Sequence, residues 1–164
     1  MYRPTVICIV CSLASRRLRR TRAYLARSLD RLLPDDGSWC PESPEVRSGC
    51  EAAADILSGS DEPQNLGETL ERAVRLMTAE ESDSKHVFVV IDDLPNQGLV
   101  ERQLSRATLL DKHEAVGCRF HVLDMGTDKP WLQDLCRGLD IEYVVVGDDP
   151  GQACDMIRER YLSK

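Results

Sequence analysis

The chain has 164 residues, 42% of them apolar and 30% charged, with a formal net charge of -7. That length suits one domain, 1–164, with a single core, and the acidic balance argues against a general nucleic-acid binder. The apolar run Val6 to Val10, directly after Arg3 and Pro4, is too short for a signal-peptide core or a membrane span, so a soluble cytoplasmic protein without a membrane partner is expected.

Val6 to Val10 reads as a central parallel strand covered on both faces, because its apolar residues do not alternate with polar ones. From Ser15 to Leu33, Leu18, Leu25, Leu29 and Leu32 recur at helical spacing while arginines fill the remaining arc. Up to Arg31 the chain carries eight arginines against one acid, Asp30, and beyond it the balance is acidic. Such a dipolar surface suits a charged partner. Residues 34–63, with four prolines and three glycines, show no strand pattern and read as an irregular, loop-rich stretch, with a short helix plausible over Glu51 to Leu57.

At Asn65 a helix begins, with Asn65 as its cap and Leu66, Leu70, Ala73, Val74 and Met77 on one face. His86 to Ile91 is a second buried strand that ends on Asp92 and Asp93. A helix from about Gly98 to Ala115 is stopped by Gly117, and Cys118 to Leu123 makes a third strand. Trp131, Leu132, Leu135, Cys136 and Leu139 supply the buried side of the next helix. Ile141 to Val146 is a fourth strand, and Pro150 opens a last helix with Ala153, Ile157 and Tyr161 inward. Alternation of strands and helices predicts a Rossmann-like α/β fold, with a mostly parallel central sheet and helices on both faces. In such sheets ligands bind outside the carboxyl ends of the strands, which directs attention to residues 11–15 and to the loops after later strands.

The order of these features resembles the von Willebrand factor A (vWA) domain. In that family the first strand ends in Asp-x-Ser-x-Ser, a Gly-Gly-Thr-Asn stretch opens a helix, and a later strand ends in Asp-Gly. Together they hold magnesium in a metal-ion-dependent adhesion site (MIDAS). Here Gln64-Asn65-Leu66-Gly67 resembles the Thr-Asn helix start, His86 to Asp92 resembles the strand ending in Asp-Gly, and Gly117 to Leu123 with Gly126-Thr127-Asp128 is similar to the strand and loop that follow. The family would place a β-hairpin within residues 34–63.

Laid on the metal motif, the chain offers Cys11, Leu13 and Ser15, then Gln64 and Asp92; only Ser15 and Asp92 keep oxygen chemistry suited to a hard cation. The resemblance therefore implies a degenerate MIDAS, no bound cofactor, and a non-enzymatic protein-binding module. It also implies a protein partner such as an AAA+ ATPase or a component of a signalling or repair assembly.

A rival chemistry starts from Cys11-Ser-Leu-Ala-Ser-Arg-Arg17, which fits Cys-x5-Arg and resembles the phosphate loop of cysteine phosphatases. Cys11 would be the nucleophile, Arg17 the phosphate clamp and Asp149, before Pro150, the general acid. That loop lacks the Gly and Asn residues such tight turns use, and so short a motif arises readily by chance in an arginine-rich chain.

Binding candidates on the interaction reading are Ser12, Ser15, Asn65, Asp92 and Asp93 at the crevice, Arg16, Arg19 and Arg20 on the helix, and Trp39 in the loop. An acidic protein surface is the preferred partner of the arginines. The seven cysteines are expected as reduced, mostly buried thiols, and the three histidines are scattered without metal-ligand spacing.

Overall fold

The computed structural model describes residues 4–10, 17, 20, 21, 24, 64–79, 84–92 and 97–162. Their apolar runs form four strands: β1 Pro4–Val10, β2 Ser84–Ile91, β3 Cys118–Asp124 and β4 Glu142–Val145. All pair in parallel, in the order β1-β2-β3-β4. Four helices accompany them: α1 Gln64–Thr78, α2 Gln97–Glu114, α3 Pro130–Gly138 and α4 Pro150–Leu162. Arg17, Arg20, Thr21 and Tyr24 are helical as well. This is the expected Rossmann-like α/β architecture. No helix of the described residues is long and apolar enough to cross a membrane.

Successive side chains of a strand point to opposite faces, and the two faces bury two separate cores. One unites Ile7, Ile9, Val87, Val89, Ile91 and Val122 with α1, α2 and α3. The other unites Val6, Cys8, Phe88, Val90 and Leu123 with Ala153, Cys154 and Ile157 of α4 and, at its margin, Tyr24. Strands that advance in one direction through right-handed crossovers carry on one face the helices that lead directly into each next strand, here α1, α2 and α3. The helix bearing Tyr24 and the terminal α4 cover the other.

Within α1 the expected apolar stripe is realised, with Leu70, Ala73, Val74 and Met77 buried. Its start differs from expectation: Gln64 is already helical, so Asn65 is the second residue of the helix and not its cap. Gly67 admits the side chain of Gln103 from α2, whose Cγ would lie 3.1 Å from a Cβ there. The end of α2 also differs. Ala115, not Gly117, takes the left-handed conformation that closes the helix, with φ 51°. The amides of Ala115 and Val116 donate to Lys112 O and Asp111 O at 3.2 and 3.1 Å, the paired bonds of a Schellman motif. Gly117, also left-handed, then leads into β3. The motif recurs after α3, where Asp140 has φ 57° and Ile141 N donates to Cys136 O at 2.8 Å.

Cys118 and Cys136 are free thiols, and Cys8 and Cys154 are buried. Burial pushes the Cys136 thiol up to about 12, which keeps it protonated and inert.

Candidate functional site

Because all four strands run the same way, their carboxyl ends share one edge of the sheet. Asp92 follows β2, Met125 follows β3 and Asp148 follows β4. The ladder extends slightly past the strands there, with Met125 N donating to Ile91 O at 2.9 Å and Val146 N to Asp124 O at 2.8 Å. Arg17 reaches into this edge from the helix after β1. Its Nη1 donates to Asp92 Oδ1 at 3.0 Å and to the Met125 carbonyl, and its Nε pairs with Asp148. The backbone behind it is held by Thr21, whose Oγ1 lies 2.9 Å from Arg17 O and 3.1 Å from Met125 Sδ.

A single guanidinium thus ties the exit of β1 to the exits of β2, β3 and β4. Its two carboxylates differ in setting: the Asp92 side chain is 11% exposed and that of Asp148 is 80% exposed. The inner ion pair is shielded and the outer one meets water.

Beside this latch lies a second charged group. Asp124, at the end of β3, is wholly buried. Lys129 Nζ donates to both its oxygens at 3.1 and 2.9 Å, Gly126 N to Oδ1 at 2.8 Å and Tyr143 OH to Oδ2 at 2.6 Å. Lys129 Nζ also donates to Thr127 O at 2.9 Å. Charge and hydrogen bonds are therefore matched around Asp124, as a buried carboxylate requires. Desolvation, followed by the hydrogen bond to Asp124, raises the Tyr143 phenol above its ordinary range, so it remains a donor. This cluster folds the β3–α3 loop against β4.

Of the residues expected at the site, Arg17 and Asp92 are brought into direct contact. Asp149 lies exposed on the same edge, its Oδ1 accepting from Gly151 N at 2.9 Å at the start of α4. Arg20 is exposed on the helix that carries Arg17. Cys11, Ser12, Leu13, Ser15, Arg16, Arg19, Trp39 and Asp93 lie outside the described residues, as does the short helix expected over residues 51–57, and of Asn65 only the backbone is described. Among the described residues no group of three His, Cys, Asp or Glu side chains is arranged to hold a metal ion.

The histidines are not as scattered as their sequence positions suggest. His86 Nδ1 lies 2.9 Å from His121 Nε2 inside the sheet, on the face toward α4, and both rings stack with Phe88. His113 is exposed on α2. The signal for the pair was the parallel alignment of β2 and β3, which sets His86 opposite Arg119 and Phe88 opposite His121. Asp124 could have been suspected from its place at the end of an apolar run, the same signal that marks Asp92.

Comparison with protein-family models, with curated proteins and with solved structures finds no match to this chain.

Proposed function

We propose that the chain is a non-enzymatic protein-interaction module resembling the vWA domain, acting within a larger assembly and needing no divalent metal at its crevice. The observation that carries this reading is the Arg17 guanidinium on Asp92 Oδ1 at 3.0 Å. Asp92 is the carboxylate that the resemblance keeps at a metal position, and a fixed internal cation already neutralises it. Magnesium fits the remaining donors poorly, since Cys11 and Leu13 supply no hard oxygen where the family's motif has Asp and Ser. The crevice is then a preformed polar surface at the place where α/β sheets bind ligands.

The rival phosphatase uses the same arginine as a phosphate clamp. Against it, Nη1 of Arg17 is engaged by the nearly buried Asp92 and by Met125 O, and Asp149 is engaged by the amide of Gly151.

Two assays test the reading together. Hydrolysis of p-nitrophenyl phosphate is compared between the wild type and Cys11→Ser, and partners are cross-linked and captured in magnesium and in EDTA. The expected result is no Cys11-dependent turnover and the same captured partner in both buffers. Turnover lost in Cys11→Ser would replace the module with a phosphatase, and capture lost in EDTA but restored by magnesium would reinstate a metal site.

A further inference from the structure

We infer that Arg17 is a carboxylate-binding residue: its Nη2 takes an acidic side chain of a protein partner, and Asp148 is the internal carboxylate that competes for it. The inference rests on the interaction-module reading and names the chemistry of its partner.

A guanidinium has five N–H donors in a planar fork and prefers to bind a carboxylate through two of them. In Arg17, Nη1 is spent on Asp92 and the Met125 carbonyl and Nε on Asp148, while no described residue accepts from Nη2. The Arg17 side chain is 35% exposed, so the fork is neither sealed in the core nor free in water. Asp92, nearly buried, fixes the guanidinium from the inside. Asp148 meets it from the outside, in the loop between Gly147 and Pro150, where Gly147 adopts φ 88°.

These positions define an exchange. When a partner's carboxylate approaches through solvent, it can pair with Nη2 and Nε together if Asp148 turns away. One carboxylate then replaces another, so the charge around Arg17 is unchanged while Asp92 stays in place. Exposed ion pairs of the Arg17–Asp148 kind are weak, which makes Asp148 a competitor that a partner can displace. The rim also carries Asp128 and Asp149, both exposed, which disfavour polyanions that do not reach Arg17.

The test measures binding of a fluorescein-labelled hexaglutamate peptide by anisotropy at fixed ionic strength, with hexaglutamine as the uncharged counterpart. Hexaglutamate is expected to bind and hexaglutamine not. Asp148→Asn should tighten hexaglutamate by about twofold to fivefold, the range set by the worth of an exposed pair. Asp128→Asn removes the same charge from the same rim and should change affinity much less. Arg17→Lys keeps the charge but loses the fork and should weaken binding. Because Asp148→Asn leaves the inner Arg17–Asp92 pair intact, the test does not depend on an Arg17 variant that folds.

Equal tightening by Asp148→Asn and Asp128→Asn, or none by Asp148→Asn, would overturn the inference. So would displacement of the peptide by inorganic phosphate in a manner lost in Cys11→Ser, since the site would then be a phosphate loop. Partner capture that persists in Arg17→Lys would remove Arg17 from recognition and leave the interaction module standing. Absence of any captured partner would remove the module itself.

Discussion

His86 Nδ1 and His121 Nε2 sit 2.9 Å apart, the middle link of a polar chain across three strands. Ser84 Oγ lies 3.1 Å from His86 Nε2, Glu142 Oε1 lies 3.4 Å from His121 Nδ1, and Arg160 Nε donates to Glu142 Oε1 at 2.6 Å. One tautomer set satisfies every ring nitrogen with both rings neutral: Ser84 donates to His86, His86 to His121, and His121 to Glu142. An added proton on either ring is opposed by burial first and by neighbouring cationic charge, the other ring and Arg119 for His86, Arg160 and Arg119 for His121, against the attraction of Glu142.

Burial holds His86 at about 4 and lowers His121 from 6.5. The unfolded chain protonates these rings near 6.5 while the folded chain resists, so the unfolded state binds more protons between pH 6.5 and about 4. Stability is therefore complete above pH 6.5 and falls as the pH drops through that window. For His86 alone the loss is on the order of 3 kcal/mol, at about 1.4 kcal/mol per pKa unit. Urea midpoints at pH 7.5 and 5 should show this fall, and His86→Phe should flatten it. Midpoints that fall equally in the wild type and His86→Phe would place the acid sensitivity elsewhere.

Lys129 and Asp124 make the buried ion pair of the β3–α3 loop, and its removal from one side should be costly. Lys129→Met leaves a fully buried carboxylate without its cation, which typically costs about 3–5 kcal/mol. Tyr143→Phe removes one hydrogen bond to the same carboxylate and should cost less, about 1–3 kcal/mol. Chemical denaturation should rank the two in that order. The reverse ranking would mean that the phenol and not the lysine holds Asp124.

The strands were readable because their residues report burial directly. Val87 to Ile91 is apolar without interruption, and every one of those side chains is buried between the two helical layers. Helix α1 was readable for the corresponding reason at a period of 3.6. What stayed hidden are relationships between elements. Arg17 and Asp92 are 75 positions apart, and no local pattern says which carboxylate an arginine on the first helix will meet. The stop of α2 is not at Gly117 although glycine is the usual left-handed residue, because Ala115 takes that conformation two positions earlier; Asp140 does the same after α3.

That strain is open to relief. A non-glycine residue in the left-handed region costs about 1–2 kcal/mol relative to its favoured conformation, and glycine does not. Ala115 is exposed, so removing its methyl group vacates no packed space. Ala115→Gly should therefore raise stability by roughly 0.5–1 kcal/mol, after the added unfolded-state freedom of glycine is subtracted. Asp140→Gly should act in the same direction after α3. Thermal melting of the two variants checks this, and a lower melting temperature for Ala115→Gly would show that the left-handed alanine carries no strain.

The Arg17 latch makes its own order of effects. Arg17→Ala and Asp92→Asn each remove the inner charged pair and should cost about 1.5–3 kcal/mol, the range for a hydrogen bond to a charged group. Asp148→Asn breaks only the exposed pair and should cost less than about 1 kcal/mol. Saturating magnesium should leave the melting temperature of the wild type unchanged, because a ligand stabilises only the state it binds and the guanidinium already holds Asp92. A shift that appears in Arg17→Ala but not in the wild type would show that cation and guanidinium compete for the same carboxylates. A magnesium shift in the wild type would show that Arg17 does not substitute for the metal, and the metal-free reading of the crevice would fall with it.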